Sequence, residues 1–167
     1  MTGTVLLTGG TGKTSSRIAD KLQKLNIPVL LTSRKGQAGA PAGQKAVKFD
    51  WYDEATHINP FNEDKNIDTV YLIIIPHPDS DAVAIVKKFI ELAREKGVKR
   101  FLLMSATAME KGGPAPQGQI HAHLESIGVD YAVLRPSWFF GMLLLLLLAG
   151  VLNTIPRQLP DHLNHQN

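Results

Sequence analysis

The stretch LLTGGTGKTSSRIADKL, Leu6 to Leu22, passes from an apolar run through three glycines into an amphipathic segment. Strand-like Thr4–Thr8 precedes the turn, and a helical pattern over Gly12–Leu25 follows it, with Ile18, Leu22 and Leu25 expected on one face. Gly9 and Gly12 suit a tight strand-to-helix turn, because glycine accepts positive φ and lets backbone approach a ligand closely. The helix start then points unpaired N–H groups and a positive dipole end outward, which suits a pyrophosphate. Thr8, Thr11, Thr14 and Ser15 offer hydroxyls beside it.

Two motifs compete for this turn. The "GKT" at Gly12–Thr14 invites a triphosphate-binding loop, but that motif needs glycine at position 7, where Leu7 stands inside the strand. The spacing instead fits G-x-x-G-x-x-G with Ser15 in the third place. A glycine-rich turn without a ligand is the plain alternative. Its position at the first strand–helix junction of an alternating chain favours dinucleotide binding.

The rest of the chain continues the alternation. Strands are expected at Ile27–Arg34, Lys45–Asp50, Ile67–Pro76, Val98–Ser105 and Asp130–Pro136. The fourth is the most apolar and is placed centrally. A helix capped by Asp79 or Ser80 should present Ala82, Ile85, Phe89 and Leu92, and another carries Ile120, Leu124 and Ile127. Lys35–Gln44 and Gly112–Gly118 read as loops, and 52–67 as irregular or briefly helical. This pattern predicts an α/β fold: a doubly wound, Rossmann-like parallel sheet of six strands with helices on both faces. A cofactor-binding domain over 1–140 and an atypical tail over 141–167 are expected.

Composition narrows the function. The chain has 167 residues, 44% hydrophobic and 20% charged, enough for one domain with a sizeable core. Net charge is +3 and dispersed, so no nucleic-acid stripe is read. The lack of cysteine excludes thiolate metal sites and disulfides, and no metal site is expected. The N-terminus shows no basic n-region, which fits a cytoplasmic protein. The second strand ends in Ser33, Arg34 and Lys35, with no acid until Asp50. An acid there would select NAD, whereas a basic residue accommodates a 2′-phosphate, so NADP is favoured. Solvated loop charge is the alternative.

TGGTGKTSSRIADKL, LLTSRKG, FDWYDEAT, KRFLLMSATAMEKGG and YAVLRPSWFF together resemble the NmrA-like, atypical short-chain dehydrogenase/reductase group. Within it the resemblance points to the festuclavine/agroclavine dehydrogenases of ergot alkaloid biosynthesis, over residues 1 to about 140. It implies that Thr8, Gly9, Thr11, Gly12, Lys13 and Thr14 line the pyrophosphate, and that Ser33 and Arg34 meet the adenosine phosphate. Asp50 and Trp51 would lie near adenine, and Ile75 and Pro76 beside the nicotinamide ribose. Ser105 falls where ordinary members keep their catalytic serine. Core packing for Trp51 and a simple strand end for Ser105 stay open.

The usual Tyr-x-x-x-Lys pair is absent: none of Tyr52, Tyr71 and Tyr131 has lysine four residues on. His121 and His123 read as surface residues, two apart and so on different helix faces. The resembled family is thought to reduce a clavine iminium ion, which needs hydride but no proton donor. The same absence suits an NADP-binding, redox-sensing regulator without turnover.

Past Phe140 the resemblance stops. Six consecutive leucines, Leu143–Leu148, sit in an apolar run of 14 residues from Phe139 to Leu152, below the ~18–20 needed to span a bilayer. A makeshift helix, an interface, or a tail foreign to the family are the options. The foreign tail is the expectation, with a chain truncated relative to the family, self-associating through the leucines and turning over no substrate.

Overall fold

The computed structural model describes residues 3–75 and 81–137. Six strands form one sheet in the order β3-β2-β1-β4-β5-β6. They are β1 (Thr4–Leu7), β2 (Val29–Ser33), β3 (Ala46–Lys48), β4 (Ile67–Leu72), β5 (Arg100–Met104) and β6 (Asp130–Leu134). Every pairing is parallel. The expected Rossmann-like architecture is therefore the observed one, with β4 beside β1 in the middle. The strand order reverses between β1 and β4, which sets the switch point.

Alternation along the central strands divides the core. Leu6, Leu30, Val70 and Leu72 point to one face, where α3 (Ala82–Glu95) and α4 (Pro116–Ser126) pack through Val86, Phe89, Ile90, Ile120 and Leu124. Leu7, Leu31 and Tyr71 point to the other, where α1 (Lys13–Lys24) packs through Ala19 and Ile18. Short helical pieces complete the β2–β4 connections: single 3-10 turns at Gly36–Gly39 and Glu54–Thr56, and α2 (Asn59–Glu63).

Four local expectations are corrected. The buried residues of α1 are Ser15 and Ala19, while Leu25 is 68% exposed. Leu25 is the C-cap, where the chain leaves the helical path, and Asn26 takes φ 55°. The buried stripe of α3 is Ala82, Val86, Phe89, Ile90 and Ala93, with Ile85 and Leu92 at its margins. Its cap is Asp81, whose carboxylate accepts from the Ala84 amide at 3.0 Å; Asp79 and Ser80 lie outside the described residues. Finally, His123 is not a surface residue. It is mostly covered between α3 and α4, with Nε2 3.7 Å from Glu91 Oε1, and burial lowers its pKa.

Candidate functional site

The turn after β1 explains each glycine separately. Gly9 takes φ 61°, the left-handed region that favours glycine. Gly10, which the motif spacing leaves unassigned, is the packing glycine. A Cβ there would lie 2.7 Å from Leu31 Cβ and 2.8 Å from the Thr32 backbone N and O. Its amide donates to the Thr32 carbonyl at 3.0 Å, tying the turn to β2. Gly12 has an ordinary extended backbone, φ −77° and ψ 160°, so the turn itself does not demand glycine there. Gly12 is exposed, and a Cβ would meet only the Gly9 carbonyl, at 3.0 Å.

Gly12 is also the N-cap of α1. It supplies no side-chain cap, and the first turn carries no acidic residue. The first helical amides and the dipole end therefore face outward uncompensated, the arrangement an anion completes. Lys13 and Thr11 are exposed beside them, and Thr14 is half-buried.

The hydroxyls divide into two sets. Thr8 is fully buried; its Oγ1 donates to the Tyr71 carbonyl at 2.8 Å and accepts from the Ile73 amide at 2.8 Å. Thr8 thus bridges β1 to the end of β4 at the switch point, and its hydroxyl is not free for a ligand. Ser15 is likewise buried and donates to the Thr8 carbonyl at 3.0 Å. This bond explains how serine stands in the third glycine's place: helix and strand pack closely and its polar atom is satisfied. Thr11 and Thr14 remain as outward hydroxyls.

At the end of β2, Ser33 is buried and its Oγ accepts the Lys35 amide at 3.1 Å. Arg34 is exposed, with no carboxylate partner among the described residues. Beyond β3, Asp50 is half-buried in a tight turn. Its amide donates to Thr56 Oγ1 at 2.9 Å, and Thr56 Oγ1 donates onward to the Asp53 carbonyl at 2.7 Å. His57, 3% exposed, lies with Nε2 3.2 and 3.1 Å from the Asp50 and Trp51 carbonyls and stacks on Phe49. Sequence reasoning missed Thr56 and His57, because each acts through a fold-back that no spacing announces.

Trp51 is 7% exposed and packs edge-on against Phe49 and Phe89. Its indole N–H donates to the Ile73 carbonyl at 3.0 Å. The neighbouring Tyr52 hydroxyl donates to the Ile75 carbonyl. Ile75 itself is 56% exposed, and Pro76 lies outside the described residues. Ser105 is 8% exposed at the end of β5, its amide donating to the Leu134 carbonyl at 2.8 Å. The parallel sheet brings Thr8–Thr14, Ser33–Arg34, Asp50, Ile73–Ile75 and Ser105 to one edge, the carboxyl ends of β1 to β5.

None of these residues lines the cavity of about 320 Å³ between α1 and the inner strands, which is walled by Val5, Leu7, Ile18, Leu22, Tyr71 and Leu102. That cavity belongs to the apolar α1 face. Tyr71 is buried there, its hydroxyl without a hydrogen-bond partner among the described residues, and burial pushes its pKa up to about 12. A phenol so held is a poor proton donor near neutral pH.

Sheet order, switch-point turn and uncapped helix define a dinucleotide-binding α/β protein. A family model described as NAD(P)H-binding matches residues 9–141, and the chain belongs to that family. It is 45% identical over 138 residues to the agroclavine dehydrogenase of Claviceps purpurea, covering 81% of this chain and 47% of that protein. It is 41% identical over 147 residues to festuclavine synthase I of Penicillium roqueforti, covering 84% and 50%. The chain thus spans about half the length of the curated relatives it matches. A nucleoside-diphosphate-sugar epimerase from Staphylococcus aureus shares the fold, with TM-score 0.71 and 22% identity over 87% of this chain and 55% of that one. So does the Bordetella bronchiseptica enzyme WbmH in complex with NAD+, with TM-score 0.64 and 15% identity over 90% and 64%. Among the described residues no helix is long and apolar enough to cross a membrane.

Proposed function

We propose that the chain is the cofactor-binding part of an NADP-dependent oxidoreductase of the atypical short-chain type, acting on a small alkaloid-like iminium substrate. The observation that carries this is the uncapped start of α1 behind an open Gly12, with an exposed Arg34 at the end of β2 that has no carboxylate partner among the described residues. Thr11, Lys13, Thr14 and the first α1 amides would hold the diphosphate. Ser33 and Arg34 would meet the 2′-phosphate, the Asp50–Trp51 turn would border adenine, and Ile75 and Pro76 the nicotinamide ribose. Gly9 and Thr8 shape the approach. Bound NADPH supplies hydride.

The substrate class comes from the relatives named as agroclavine dehydrogenase and festuclavine synthase. An iminium carbon accepts hydride without a proton donor, which accords with the lack of a Tyr-x-x-x-Lys pair. Ser105 would orient the substrate. The same lack of a proton-donating pair favours a second reading, an NADP-sensing regulator without turnover. Cytoplasmic location, a cofactor domain ending near residue 140, and self-association through the leucine-rich 141–167 tail complete the proposal.

Calorimetric titration with NADPH and NADH tests the cofactor, and hydride transfer to a clavine iminium tests the enzyme. NADPH binding with turnover selects the enzyme. NADPH binding without turnover, the outcome expected of a chain truncated relative to the family, selects the sensor or an inactive truncated form, and no binding of either nucleotide refutes every reading.

A further inference from the structure

The Arg135 guanidinium faces no carboxylate among the described residues. It reaches instead across the end of β5, into the loop that follows Ser105. Its Nη2 donates to the Thr107 carbonyl at 2.9 Å and to the Met109 carbonyl at 3.1 Å, and Nε approaches the Ala106 carbonyl at 3.5 Å. Thr107 Oγ1 returns a bond to the Arg135 carbonyl at 3.3 Å. Within residues 106–109 the backbone makes one further bond of its own, Met109 N–H to the Ala106 carbonyl at 3.0 Å.

Three carbonyls of one short loop thus converge on a single planar cation. A loop that turns its carbonyls inward needs a donor with several diverging N–H groups, and a guanidinium provides five in a fixed fork. A lysine ammonium would match the charge but not the fork. The end of β6 and the residue after it therefore hold the end of β5 twice: Leu134 accepts the Ser105 amide, and Arg135 gathers three carbonyls of the next four residues.

We infer that Arg135 is a positioning residue that fixes the Ser105–Glu110 loop, and through it the substrate side of the crevice, at the carboxyl end of β5. Ligands in open α/β sheets lie beyond these strand ends. The diphosphate turn lies across β4, at the end of β1, and Arg135 makes no contact with it. The inference rests on the proposed function for its consequence in turnover, but the loop geometry stands apart from that reading.

The test uses the full chain with R135K and R135A, followed by amide hydrogen exchange and mass spectrometry. Peptides over 105–111 should exchange about tenfold faster in both variants, while peptides over 4–10 and 86–95 keep the parent's rates. Methylguanidinium should slow loop exchange in R135A and leave the parent unaffected. If R135A loosens everywhere, R135K decides, since it keeps the charge and most of the stem. Parent-like loop exchange in folded R135K and R135A overturns the inference. In turnover, R135K should raise the substrate KM severalfold against an unchanged NADPH dissociation constant; equal weakening of both overturns it as well. A parent chain that binds no NADPH refutes the dinucleotide reading and leaves the exchange result intact.

Discussion

Replacing Gly10 by alanine and Gly12 by valine should separate stability from binding within one turn. At Gly10 the added methyl would stand 2.7 Å from Leu31 Cβ and 2.8 Å from both the N and O of Thr32. Two of these three atoms are backbone of β2, so relief requires moving β1's turn away from its neighbouring strand. Overpacking of this kind costs about 1–3 kcal/mol, and the Gly10 N–H to Thr32 bond stretches with it. The upper half of that range applies, since backbone yields less than a side chain. At about 2–4 °C per kcal/mol for a chain of this size, Tm should fall by roughly 4–12 °C.

At Gly12 the side chain would point outward, with the Gly9 carbonyl its one close neighbour and a φ of −77° that valine adopts readily. Loss of a favourable N-cap residue costs about 1 kcal/mol. The isopropyl group would nevertheless occupy the space over the first α1 amides, and NADPH binding should disappear. Thermal melts and calorimetric titration on both variants provide the check. A G10A chain with the parent's Tm, or a G12V chain with the parent's NADPH affinity, would refute the division of labour between the glycines.

R34A should weaken NADPH by roughly ten- to a hundredfold, the loss of a charge-assisted bond worth about 1.5–3 kcal/mol, with little change for NADH; equal weakening of both in paired titrations removes Arg34 from cofactor selection. Y71F deletes a buried hydroxyl that has no hydrogen-bond partner among the described residues and should stabilise the fold by about 1 kcal/mol at neutral pH. Because the folded pKa is raised from 10.0 to about 12, the neutral phenol's contribution holds below pH 10 and is lost as pH rises from 10 to 12. Urea midpoints should therefore fall in that window for the parent and less for Y71F, and parallel curves would show that Tyr71 is not desolvated.

Much of this protein is written in local pattern. Apolar runs bounded by glycines and alternating with helical segments dictate a parallel, doubly wound sheet, since each strand such as Ile67–Leu72 must bury both faces. The phosphate-facing turn is equally legible, because a strand end, closely spaced glycines and a helix start are all contiguous. Where the reading depended on one residue's neighbours across the fold, sequence alone was insufficient. Spacing assigns Gly9 and Gly12 to the motif and leaves Gly10 out, yet Gly9 carries positive φ, Gly10 packs on β2 and Gly12 stays open, and only the folded turn beside β2 separates these roles. Thr8 and Ser15 look like ligand donors until the Tyr71 carbonyl of β4 and the Thr8 carbonyl at the end of β1 take their hydroxyl protons. Helical period placed Ile85 and Leu92 on the stripe of α3 that burial gives to Val86 and Ile90, because the sheet sets the angle at which the helix meets it. Arg135 reads as one more charge after a strand; its role exists only because β6 lies beside β5, so that a side chain 26 residues away in sequence from Met109 meets its carbonyl.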